Sequence, residues 1–195
     1  MFIFLRLLLA HFVGDYLLQS NKIYRFKTKG KIKHVIPHAL LVTLSFVIFS
    51  WPYLTTLKLW IFISFLGTTH LFQDWLKLKF TTTRGSFWGY LSDQLLHILL
   101  ISLVFITNLK NLPPPQANGN IFITIYNNNA IIAYLTAIII AGHNGIYMIR
   151  DLKTTFFNKK HLYTPFEKWY GILERTFIVT AIFADKLFFL LIPLV

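Results

Sequence analysis

Cysteine is absent from the 195 residues. Its absence removes disulfides, thiolate metal ligands and cysteine nucleophiles together, so any metal must be held by imidazole and carboxylate. Charge is scarce as well, at 13% of the chain, and acidic charge is scarcest, with seven Asp and Glu against nineteen Lys and Arg. A soluble domain carries about twice that charged fraction, which excludes a water-soluble globule. Neither a phosphate-cradling glycine loop nor a Ser-His-Asp arrangement is found, so those two chemistries have no footing here. A cleavable signal peptide is not expected: the apolar run from Phe2 to Phe12 lacks a basic leader and an A-x-A site, and continues into Gly14, Asp15 and Tyr16.

Apolar residues are abundant, at 55% of the chain with a mean hydropathy of +0.58, and 20 Phe, 9 Tyr and 5 Trp are spread through long runs. Windows of about 20 residues, broken at Pro, Gly and charge clusters, predict an all-α integral membrane bundle of six spans in one polytopic domain. They run near Phe2–Gln19, Lys33–Ser50, Leu57–Leu78, Phe87–Asn108, Ile121–Arg150 and Trp169–Leu194. The fifth is overlong, which marks Ile121–Asn129 as a candidate extension outside the membrane. Fourteen of the nineteen basic residues fall in the loops on one side, from Lys22 to Lys33, from Lys77 to Arg84 and from Arg150 to Lys168. By the positive-inside rule that side is cytoplasmic and both termini are extracytoplasmic. The net charge of +12 is thereby a topology signal with lipids as its partners, and nucleic acid is rejected as a partner.

Ionisable residues inside spans are costly in hydrocarbon and each is a functional candidate. Here they come in pairs four residues apart: His11 with Asp15, His34 with His38, His70 with Asp74, and Asp93 with His97. That spacing puts both side chains on one helix face about a turn apart, and about one such pair is expected by chance among the His and acidic residues. The pairs fall at the end of span one, the start of span two, the end of span three and the start of span four, all at the cytoplasmic side. His143, near the end of span five, and Glu174 with Arg175, near the start of span six, belong to the same layer. The competing readings are ordinary: buried structural histidines, ion pairs of Asp15, Asp74 and Asp93 with Arg84, Arg150 or Arg175, and a helix-start ion pair for Glu174 and Arg175. Pro37 reads as a first-turn helix proline, and the stretch from Lys22 to Lys33 as a topology determinant.

LLLAHFVGDYLLQSNK, the following H-x-x-x-H, HLFQDWLK, SDQLLH and GILER resemble the bacterial multi-spanning family known as domain of unknown function 3307. The resemblance covers nearly the whole chain and implies the fold and membrane location, but little mechanism. The style of the His/Asp pairs is also similar, more loosely, to inner-membrane metal-dependent hydrolases.

The expectation is a metal-dependent hydrolase with a site toward the cytoplasmic leaflet, acting on a lipid-associated or anionic phosphate- or ester-bearing substrate. His11, Asp15, His34, His38, His70, Asp74, Asp93, His97 and His143 are the candidate ligands of a divalent transition metal (Zn, Mn or Fe), as one ion or two. Glu174 or a spare Asp is the candidate proton shuttle, and Arg84 or Arg175 the anion holder. The rivals are a proton- or metal-ion transporter using the same residues, and a non-catalytic scaffold.

Overall fold

The computed structural model describes residues 1–80, 86–158 and 164–191, with side chains described as far as residue 184. Among these residues the chain is helical, with no strand: α1 (Phe2–Phe12), α2 (Asn21–Lys27), α3 (Ile32–Phe49), α4 (Leu57–Phe80), α5 (Phe87–Ser102), α6 (Ile121–Asn127), α7 (Asn129–Ile139), α8 (Gly145–Phe157) and α9 (Pro165–Leu191). Two wide π-helical turns interrupt the rods. Val13–Leu17 ends α1, and Ile140–Asn144 joins α7 to α8.

A helix that is apolar all round is buried all round, and α1, reading FIFLRLLLAHF, is the hub. Ile3, Leu7 and Ala10 pack with Val42 and Phe46 of α3, Leu59, Ile63 and Leu66 of α4, and Ile101 of α5. Its other side, Leu5, Leu9 and Phe12, meets Ile132 and Ile139 of α7. Between helices in hydrocarbon such packing is held by van der Waals contact, not by transfer out of water. The same enclosure takes Arg6 and His11, polar residues of the hub, to zero exposure. On the outside the pattern inverts: Ile36, Leu40, Leu44 and Ile48 form a stripe at spacing four on α3 and are 40–63% exposed. Large apolar groups facing outward along a whole helix fit a hydrocarbon or protein surrounding better than water.

Among the described residues three helical stretches are long and apolar enough to cross a membrane, Ile32–Phe49, Phe87–Ile106 and Asn129–Phe157; a fourth is counted if Phe2–Leu17 and Asn21–Lys27, bent by 90°, form one span. This is fewer than six. At 24 and 27 residues, α4 and α9 have the length, and lose apolarity to His70, Gln73, Asp74, Lys77 and Lys79 in α4, and to Glu167, Lys168, Glu174 and Arg175 in α9. The expected fifth span divides at Asn128, whose side chain caps α7 by accepting from the amides of Ala130 and Ile131 at 2.9 and 3.1 Å, leaving α6 as a separate helix. Pro37 is the sixth residue of α3 and not in its first turn, so the Lys33 carbonyl lacks its usual helical amide donor.

Below α6 the hub's Arg6 is enclosed. One Nη donates to Phe2 O at 3.0 Å and to the Asn129 side chain, the other to Tyr126 O, and the guanidinium lies 3.5 Å from the Phe2 ring centroid. Nearby, the Tyr53 hydroxyl donates to Pro113 O at 2.6 Å, and burial pushes its phenol up to about 12.

Candidate metal centre

Four elements converge at the other end of α1. The wide turn at its C-terminus carries Asp15 toward α3, and this approach depends on Gly14: a Cβ there would stand 2.8 Å from the Val42 Cα. With the two backbones this close, Asp15 Oδ1 lies 3.0 Å from His38 Nε2. From α4, His70 Nε2 lies 3.2 Å from His38 Nε2 and 3.4 Å from Asp15 Oδ1. Asp74 Oδ2, one turn along α4, is 3.3 Å from His38 Nε2 and 3.4 Å from His70 Nε2. The two imidazole nitrogens thus share an edge of two triangles, one closed by Asp15 and the other by Asp74.

Three further ionisable residues adjoin. His11, one turn before Asp15, has its Nε2 3.7 Å from Asp15 Oδ2. From α5, His97 stacks on His11 with centroids 5.0 Å apart and lies 4.6 Å from the His70 ring. Its Nδ1 is 2.7 Å from the Asp93 carbonyl; a carbonyl only accepts, so Nδ1 carries the proton and Nε2 a lone pair. Three sets have ligand atoms mutually within 4.8 Å: His11, Asp15 and His70; His38, His70 and Asp74; and Asp74, Asp93 and His97. His11, His38, His70, Asp74 and His97 are each under 5% exposed.

Two lysines complete the cluster. Lys27, the last residue of α2, places Nζ 2.5 Å from Asp74 Oδ2, and Lys77 places Nζ 2.6 Å from Asp93 Oδ2. Sequence reasoning counted both only as topology charges, and nothing in the sequence separates Lys27 from its five basic neighbours. Gly14 was likewise overlooked as the residue that lets α1 approach α3. The acids therefore pair with lysine and histidine, and the arginines proposed for them are occupied elsewhere or outside the described residues. Arg150 pairs with Asp151 at 2.8 Å. Arg175 donates to the Ala141 and Gly142 carbonyls at 2.7 and 3.2 Å, groups that the wide turn at Ile140–Asn144 frees from ordinary helix bonding. Arg84 lies outside the described residues.

The structure thus brings together His11, Asp15, His38, His70, Asp74, Asp93 and His97, and leaves three candidates apart. His34, one turn before His38, faces α2 with its ring edge on Phe26 at 4.6 Å. His143 is not among the grouped ligands; its neighbour Asn144 points to the cluster side instead, accepting from Tyr90, whose hydroxyl lies 3.1 Å from that of Tyr16. Glu174 is exposed on α9.

The chain belongs to the DUF3307 family of proteins of unknown function. The match to that family covers residues 3–123, a range that holds all seven clustered residues and excludes His143, Glu174 and Arg175. No curated protein and no solved structure matches the chain.

Proposed function

We propose that this protein is a six-span inner-membrane metalloenzyme that hydrolyses a lipid-associated or anionic phosphate- or ester-bearing substrate at its cytoplasmic leaflet, with both termini extracytoplasmic. One observation carries the reading: the His38 and His70 Nε2 atoms lie 3.0–3.4 Å from each other and from oxygens of Asp15 and Asp74. Ligand atoms around a four-coordinate ion with bonds of 2.0–2.1 Å stand about 3.3 Å apart. Two imidazoles and two carboxylates suit Zn, Mn or Fe, and the carboxylates balance a divalent charge in a buried site.

A divalent ion there supplies Lewis acidity and lowers the pKa of water. The chain's own residues do the rest. Lys27 and Lys77, at the basic side, attract an anionic group and hold it against the cluster. Asp93, bonded to Lys77 and to Gln94 Nε2 at 3.2 Å, is the spare Asp left for proton transfer, the alternative to Glu174. Loops rich in Lys and Arg on this side support contact with anionic lipid headgroups. The kinship to membrane metal-dependent hydrolases is an analogy of residue style.

The test combines metal analysis, lipid hydrolysis and flux. Protein purified without chelator is expected to hold near-stoichiometric transition metal, with at least a tenfold loss in His38→Ala and Asp74→Ala, and to hydrolyse a member of a phosphate- and ester-lipid panel in detergent. Metal content unchanged when Asp15, His38, His70 and Asp74 are replaced together would sink the metal centre. Flux in sealed proteoliposomes without hydrolysis would make the protein a transporter, and metal with neither activity a scaffold.

A further inference from the structure

We infer that the cleft beside the His38–His70 pair holds a second divalent ion, bound by His11, His97 and the Asp15 oxygen turned away from His38. The inference rests on the metal-centre reading above and concerns residues that reading leaves unused. After one ion has taken His38, His70, Asp74 and Asp15 Oδ1, two buried imidazoles remain. His11 has zero exposure, and neither of its ring nitrogens makes a hydrogen bond among the described residues. His97 is 4% exposed, and its Nε2 is likewise without a partner, while Nδ1 is committed to the Asp93 carbonyl.

An orphaned buried nitrogen costs about 1–3 kcal/mol, and such groups are rare without an occupant to satisfy them. Both rings open on one space. The cleft is small, about 10 Å³, room for one water or ion, with His11, His70, Gln73 and His97 on its polar side and Leu66 and Ile101 opposite. Asp15 supplies the third ligand, since its Oδ1 faces His38 at 3.0 Å and its Oδ2 faces His11 Nε2 at 3.7 Å, the disposition of a carboxylate shared between two ions. Ligating histidines commonly give their other N–H to a carbonyl, as His97 does.

The two positions differ in kind. Four protein donors surround the first position, so the activation of water assigned to the metal centre falls to the second, which offers three donors and a cleft, the donor count of hydrolytic sites with a position left for water. The alternative set of Asp74, Asp93 and His97 is less suited, because the first position already takes Asp74 and Lys77 holds Asp93 at 2.6 Å.

Manganese provides the test on the full-length protein in detergent. After chelation and reloading with Mn²⁺, the wild type is expected to hold two ions per chain and to give the exchange-coupled electron paramagnetic resonance signal of a close pair. His11→Gln and His97→Gln are each expected to hold half as much and to give an uncoupled, single-ion signal. One ion per chain with an uncoupled spectrum in the wild type would overturn the second site and leave the first standing. No retained manganese, zinc or iron would overturn both. Should the variants fail to fold, the wild-type stoichiometry and spectrum decide alone.

Discussion

Two polar clusters lie buried against the same hub helix, and they are closed in different ways. Around Arg6 the chain supplies the partners itself: a carbonyl of α1, a carbonyl of α6 and the side chain of Asn129 accept from both Nη groups. Around His11, Asp15, His38, His70 and Asp74, basic nitrogens instead face one another and share the same few oxygens. Three imidazoles and the Lys27 ammonium are the donors available, and the His38 and His70 Nε2 atoms still face each other at 3.2 Å, where only one of them can donate. The first cluster is therefore structural and self-sufficient, and the second is the one whose residues could hold a metal ion. Arg175 falls with Arg6, because it satisfies carbonyls that a wide turn has released.

The largest expected effects separate the two clusters by readout. Arg6→Met strands acceptors in an apolar interior and is expected to cost about 2–4 kcal/mol of stability, lowering the melting temperature while leaving metal content per folded chain unchanged. His38→Ala inverts the pattern, with metal lost and the metal-free form little altered. Chelation should lower the wild-type melting temperature, since an ion held at a hundred times its dissociation constant contributes about 2.7 kcal/mol, and should leave His38→Ala unmoved. Calorimetry or thermofluor scans with parallel metal analysis decide it; equal metal loss in Arg6→Met would dissolve the distinction.

A smaller effect is expected where the two helices that build the site touch. Gly14→Ala adds a methyl group 2.8 Å from the Val42 Cα, a contact that only backbone movement relieves, at about 1–3 kcal/mol. The movement carries Asp15 away from His38, so metal affinity should fall by about tenfold along with stability. Gly67→Ala, whose added carbon would meet the Thr43 hydroxyl, presses on a side chain that can rotate and should cost less in both readouts. A Gly14→Ala protein that binds metal as the wild type does would show that the approach of α1 to α3 does not set the site.

What was legible in the sequence follows from this geometry. Spacing four on a helix survives folding, so His70 with Asp74 and Asp93 with His97 were readable as pairs. For His34 and His38 the same rule failed, because the neighbour that decides which of two adjacent positions faces inward is α2, a short helix whose path bends 90° from α1. His143 was misread for a related reason: a five-residue wide turn changes the angular step, and Asn144 turns inward in its place. Among the described residues only three or four of the six expected spans are apolar enough by composition, because α4 carries His70, Gln73, Asp74, Lys77 and Lys79 and α9 carries Glu174 and Arg175. Lys27 was invisible, since its role arises from where α2 ends and not from any pattern among its neighbours.

Lys27 gives the smallest and most discriminating prediction. Its ammonium touches the Asp74 oxygen that also faces His38 and His70, and its side chain is only 14% exposed, so it stands as a counterion to that carboxylate. An incoming ion and the ammonium compete for the same negative charge. Removing the ammonium leaves Asp74 less compensated without metal and more attractive to it. Lys27→Met should therefore lower metal-free stability by about 1 kcal/mol and raise metal affinity by up to about tenfold, the two changes arising from one lost interaction of about 1.4 kcal/mol. Asp74→Asn should move affinity the opposite way. Titration against a competing chelator reads the sign: a weaker Lys27→Met site would mean that the lysine positions Asp74 for the ion, and the competition between them would be overturned.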